Sequence, residues 1–210
     1  ERMGAFYRAT ACEAGTRFVT DSSKYPPETF FLLGLEAVDP AIIHLVRDSR
    51  AVAFSWQRHR RRPEIPWQTT DMPRYSPLKV AVAWVVFNRL TERAGRHPAR
   101  AVRVRYEDLV AAPHRQLQRI AAALDVPFSP RVALSPLQLE ENHTISGNPL
   151  RFKRGPLSLR LDDEWQTDMP TAQFSLVTLV TAPWLRRYGY AVRPSRAAPP
   201  TPDPEQDSPA

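Results

Sequence analysis

The chain has 210 residues, of which 42% are apolar and 24% charged; this composition supports one packed domain of ordinary size and excludes wholesale disorder. Its net charge of +7, carried by 26 Arg against 3 Lys, favours anionic ligands (nucleotide, polyanionic glycan, nucleic acid or membrane surface) without choosing among them. The longest apolar run, Val80–Phe87, is eight residues, far short of a membrane span, and a single cysteine, Cys12, excludes an internal disulfide and points to a reducing, cytoplasmic setting.

Arg17-Phe18-Val19-Thr20 reads as a short strand ending at Asp21-Ser22-Ser23. Ala41–Val46 is a nearly continuous apolar and β-branched run bounded by Pro40, the pattern of a strand buried on both faces of a parallel sheet. A helix follows over Arg50–Arg61, with Asp48 or Ser49 as its cap. Ser76-Pro77 sets a cap before a proline at the first helical position and opens a long helix that stops at Gly95. Ala101–Tyr106 alternates, turning Val102, Val104 and Tyr106 inward and the arginines toward solvent or a ligand. Leu117, Ile120, Ala121 and Leu124 recur at helical spacing, and a last helix runs roughly from Thr171 to Arg187.

Asn142–Asp163 is polar and basic without a clear period, which reads as an ordered functional loop. From Pro194 onward there are six prolines in seventeen residues and no core-forming side chains, the composition of a disordered tail. Strands alternating with helices over residues 1–193 predict an α/β layer fold with a central parallel sheet.

The segment His44-Leu45-Val46-Arg47-Asp48-Ser49-Arg50-Ala51-Val52-Ala53-Phe54-Ser55 carries the sharpest chemistry. A buried strand delivers Arg47 to the carboxyl end of the sheet, where open α/β folds place ligands. Ser55, eight residues on, lies about one and a half turns into the next helix, so a long guanidinium and a short hydroxyl can converge on one phosphate. The competing reading pairs Arg47 with Asp48 and leaves Ser55 an ordinary helical serine. The run also resembles the 3′-phosphate-binding segment of sulfotransferases that use PAPS (phosphoadenosine phosphosulfate), and the resemblance implies that Arg47 and Ser55 hold that phosphate. Ser49 stands where the family more often has Pro.

Three further stretches are similar to the same family. Val19–Pro26 matches the strand-end segment that carries acceptor-side catalytic groups. Arg105-Tyr106-Glu107-Asp108-Leu109 resembles the family's Tyr-Glu-Asp strand end, which implies a place beside the nucleotide for Tyr106. Phe152-Lys153-Arg154-Gly155 resembles the late loop whose basic pair and glycine close over the 3′-phosphate, here in the order Lys153-Arg154 rather than Arg-Lys. The resemblance covers roughly residues 17–190, has the flavour of bacterial members, and implies a three-layer sandwich related to P-loop nucleotide hydrolases. The family's Gly-containing phosphosulfate loop has no counterpart in the sixteen residues before Arg17. The expectation is therefore a sulfotransferase domain over residues 1–193 that lacks its beginning and by itself transfers nothing.

Sulfuryl transfer needs in-line attack, a base for the nucleophile, and cations for the oxygens. A sulfuryl group carries less charge than a phosphoryl group, so Arg and Lys suffice without a metal, and no clustered carboxylates or paired histidines stand at metal-ligand spacing. Lys24, aligned through Pro26 with the family's catalytic histidine, is the candidate for stabilising the sulfuryl oxygens or the leaving phosphate. Asp21 is either a base or a turn carboxylate. Arg58–Arg62 reads as a solvated helix end rather than a nucleic-acid site, for no aromatics interleave. His143 either touches nucleotide or holds its loop. Trp84, Trp165 and Trp184 read as packing residues, and Cys12 as a small buried or half-buried side chain. The leading function is transfer of a sulfuryl group from PAPS to a hydroxyl or amine of a small-molecule or carbohydrate acceptor. The alternatives are a kinase of similar layered fold and a non-catalytic module that binds a 3′-phosphonucleotide.

Overall fold

The computed structural model describes residues 2–22, 25–59, 71–96, 100–129, 137–139 and 154–193. Two helices, α1 (Arg2–Glu13) and α2 (Pro26–Leu33), precede the first strand. The expected strand over Arg17–Thr20 does not form. A strand needs a neighbouring ladder for its N–H and C=O groups, and here the Thr16 hydroxyl engages both backbone groups of Phe18, each at 3.2 Å. Such local side-chain bonds compete with sheet pairing, and Phe18 and Val19 are left exposed.

β1 (Ile42–Val46) and β2 (Ala101–Arg105) pair in parallel, with Ile42 opposite Ala101 and Val46 opposite Arg105. Parallel strands require a long crossover, supplied by α3 (Ser49–Ser55) and α4 (Pro77–Ala94). Asp48 caps α3 by accepting from Arg50 N–H at 2.9 Å. The helix ends at Ser55 rather than Arg61, because the Trp56 carbonyl is taken by Tyr75 N–H and the Gln57 side chain donates to the Ala53 carbonyl. α4 follows the sequence closely: Ser76 accepts from Lys79 N–H, Pro77 opens the helix, and Gly95 closes it.

After β2 come α5 (Tyr106–Ala111), α6 (Pro113–Leu124), the strands β3 (Leu137–Leu139) and β4 (Gly155–Leu157), α7 (Trp165–Asp168) and α8 (Thr171–Arg187). β3 and β4 form an antiparallel ribbon, so part of the Asn142–Asp163 stretch is a strand rather than a loop. Residues 142–153, including His143, and the tail 194–210 lie outside the described residues.

The parallel pair carries helices on both faces. On one, Val46 packs with Trp84 of α4 and Leu185 of α8. Also there, His44 Nε2 donates to Asn88 Oδ1 at 2.8 Å. On the other, Val102 and Val104 pack on Ile120 and Leu124 of α6. β1 is not buried on both faces as its sequence predicted. α6 packs on β2, and Ile43 and Leu45 stay 49% and 50% exposed. Trp84 and Trp165 are buried packing residues, as expected, whereas Cys12 is exposed rather than buried. Among the described residues no helix is long and apolar enough to cross a membrane.

Candidate functional site

The parallel register places Arg47 and Tyr106 side by side, since each follows the last paired residue of its strand, Val46 and Arg105. The Arg47 guanidinium lies 4.8 Å from the centre of the Tyr106 ring, a favourable cation–π arrangement. Two further contacts fix this strand end: Trp84 Nε1 donates to the Arg47 carbonyl at 3.0 Å, and the Tyr190 hydroxyl, whose one proton is shared with Glu107, lies 3.1 Å from the Val46 carbonyl.

Arg47 does not pair with Asp48. Asp48 is occupied by Arg50, whose Nε and terminal nitrogen donate to its two oxygens at 2.9 and 2.6 Å. Arg50 is 1% exposed. Its guanidinium sits 5.0 Å from the Trp165 ring and 5.1 Å from the Phe174 ring, and it donates to the Ala191 carbonyl at 2.8 Å. The neighbouring acid being used, Arg47 turns instead to Asp162, donating to its backbone carbonyl and pairing with its carboxylate, both at 3.1 Å. Among the described residues the Arg47 Nε is buried without a partner, a donor still to be satisfied.

A second guanidinium reaches the same carboxylate. Arg58 lies 3.7 Å from Asp162 and also pairs with Glu164. It sits over the Phe54 ring at 4.9 Å. Arg58 is thus an ion-paired, half-buried side chain rather than part of a solvated helix end; the signal in the sequence is its position three residues beyond Ser55, close to one helical turn.

Behind this pair, Glu107 links the two strand ends. One carboxylate oxygen accepts from Asp48 N–H at 3.2 Å and the other from the Tyr190 hydroxyl at 2.7 Å. Burial, then the bond to Glu107, pushes the Tyr190 phenol far above its ordinary value, so it is a fixed donor. Asp48, Arg105, Glu107, Asp162 and Tyr190 contribute polar groups to the wall of a cavity of about 180 Å³ that Leu161 and Trp165 also line.

The other sequence-predicted residues are less concentrated. Ser55 is the last residue of α3 and partly exposed. Exposed Asp21 accepts a hydrogen bond from Tyr7, and that bond, more than burial, pushes the Tyr7 phenol up to about 12. Arg154 is exposed just before the ribbon. Gly155 opens β4 with φ +90°, a conformation that glycine adopts without strain. Lys24 and Lys153 lie outside the described residues. Among the described residues no three His, Cys, Asp or Glu side chains gather where they could hold a metal ion.

A family model described as the sulfotransferase family matches residues 4–130, more than half of the chain and a span that includes Arg47, Ser55 and Tyr106. Comparison with curated proteins and with solved structures finds no match.

Proposed function

The chain belongs to the sulfotransferase family, and from that premise we propose that it transfers a sulfuryl group from PAPS to a hydroxyl or amine of a small-molecule or carbohydrate acceptor. One observation carries the reading: a guanidinium at the carboxyl end of a parallel sheet, Arg47, stacked on Tyr106 and already holding an anionic oxygen of Asp162. The residues fit a phosphorylated nucleotide. Arg47 has a buried donor with no partner among the described residues, and a second guanidinium reaches the carboxylate that it holds.

When bound, PAPS supplies a sulfuryl group open to in-line attack. In this reading Arg47 and Ser55 hold the 3′-phosphate, with Lys153, Arg154 and Gly155 completing the grip, and Tyr106 lies beside the nucleotide. Asp21 takes the acceptor's proton, and Lys24 offsets charge on the sulfuryl oxygens or leaving phosphate. The parallel strand pair then belongs to the central sheet of a three-layer sandwich of the P-loop type within one domain over residues 1–193.

Calorimetric titration with adenosine 3′,5′-bisphosphate and with adenosine 5′-monophosphate tests the assignment. The bisphosphate should bind more tightly, and Arg47→Ala should remove that preference, since a charge-assisted contact contributes about 1.5–3 kcal/mol. Equal weakening of both ligands would show that Arg47 does not read the 3′-phosphate.

A further inference from the structure

We propose that Arg58 is a phosphate-binding residue which, with Arg47, forms a two-guanidinium clamp on a phosphomonoester, and that the Asp162 carboxylate between them is an internal competitor that the phosphate displaces. The proposal rests on the nucleotide reading above for the identity of the phosphate, and on the two ion pairs for the site itself.

Asp162 touches Arg47 through one carboxylate oxygen at 3.1 Å and Arg58 through the other at 3.7 Å. The two guanidinium groups thus flank one small oxyanion, and both are held from behind by aromatic rings, Tyr106 under Arg47 and Phe54 under Arg58. Planar guanidinium forks match phosphate as well as carboxylate. Arg58 also pairs with Glu164, so a phosphate competes with two carboxylates; carrying about −1.5 to −2 at neutral pH, it can serve both guanidiniums at once, where Asp162 brings −1.

The exchange is also mechanically cheap. Residues 158–163 have no regular secondary structure, and Leu159 and Leu161 are each 40% exposed. Moving Asp162 aside therefore gives up little apolar burial. Arg47 follows a paired strand end, and Arg58, in the turn three residues past α3, is held over the Phe54 ring of that helix. The clamp stays while the competitor leaves.

The test titrates adenosine 3′,5′-bisphosphate and, separately, inorganic pyrophosphate into the unaltered chain, Arg58→Ala, Arg58→Lys, Asp162→Asn and the double variant Arg58→Ala/Asp162→Asn, with thermal melts to verify folding. Arg58→Ala should weaken bisphosphate binding roughly tenfold or more, the loss of one charge-assisted contact. Arg58→Lys should recover part of it, as a point charge replaces the fork. Asp162→Asn should bind both probes severalfold more tightly, and the double variant should lose that gain. Unchanged affinity in Arg58→Ala, or no tightening in folded Asp162→Asn, would overturn the proposal and leave the ion pairs as a structural tie. So would an absence of pyrophosphate binding in every variant. If pyrophosphate responds to both substitutions but the bisphosphate shows no advantage over the 5′-monophosphate, the clamp stands and the nucleotide reading falls.

Discussion

Asp48 and Arg50, two residues apart, hold each other through two nearly parallel bonds of 2.9 and 2.6 Å with almost no exposure to solvent. The pair joins the end of β1 to α7, α8 and the 191–192 backbone. It also decides the chemistry next door, because an occupied Asp48 leaves Arg47 available to other anions.

Removing one partner of such a pair strands a buried charge. Arg50→Ala should cost about 3–5 kcal/mol, read as a lower urea midpoint at unchanged slope. Arg50→Lys should also be damaging, because an ammonium cannot make the forked contact or fill the space between Trp165 and Phe174. Arg50→Met with Asp48→Asn should recover part of the loss. A cost below about 1 kcal/mol for Arg50→Ala would place the pair in the class of exposed ion pairs.

His44 makes stability depend on pH. Burial holds its imidazole below the ordinary 6.5, and the bond to Asn88 offsets this only in part. The unfolded chain therefore takes up a proton first as pH falls. His44's contribution is complete above about pH 6.5 and drains away below it, until the lower folded value is reached. Urea midpoints should fall from pH 7.5 to pH 5, and His44→Gln should flatten that slope. Glu92 is distinct. Burial opposes its charge, but Arg187, then Tyr188 and Arg103, hold it below the usual carboxylate range, so its loss begins at lower pH.

Asp21 is tested through Tyr7, whose phenol loses its proton only at about pH 12 because of their hydrogen bond. Asp21→Asn should move that titration back toward 10, visible as tyrosinate absorbance that disappears in Tyr7→Phe. An unmoved titration would mean that Asp21 is not tied to α1 in solution.

Gly155→Ala isolates a backbone cost. Among the described residues beyond its chain neighbours no atom lies within 4 Å of the position a Cβ would take, yet φ is +90°. The substitution should destabilise the ribbon by about 1–3 kcal/mol and speed amide exchange across its pairing with Leu139. Unchanged exchange would show that the ribbon tolerates the strain or forms independently of this turn.

What sequence alone determined here is largely local. Ser76, Pro77 and Gly95 act within one turn of themselves, so the bounds of α4 could be read directly, as could Thr171–Arg187 and the placement of Arg47 at a strand end. The crossover length and apolar runs similarly implied the parallel pairing of β1 with β2. Tertiary structure decided how the charges were shared. A chain with 26 arginines offers many equivalent partners, and charge attraction has no direction that sequence spacing can encode. Only the packed fold brings Asp162 to Arg47 across 115 residues, adds Arg58 to the same carboxylate, and gives Asp48 to Arg50. It also withholds a strand from Arg17–Thr20 and half-exposes Ile43 and Leu45, because sheet pairing and burial depend on neighbours that the segment itself does not contain.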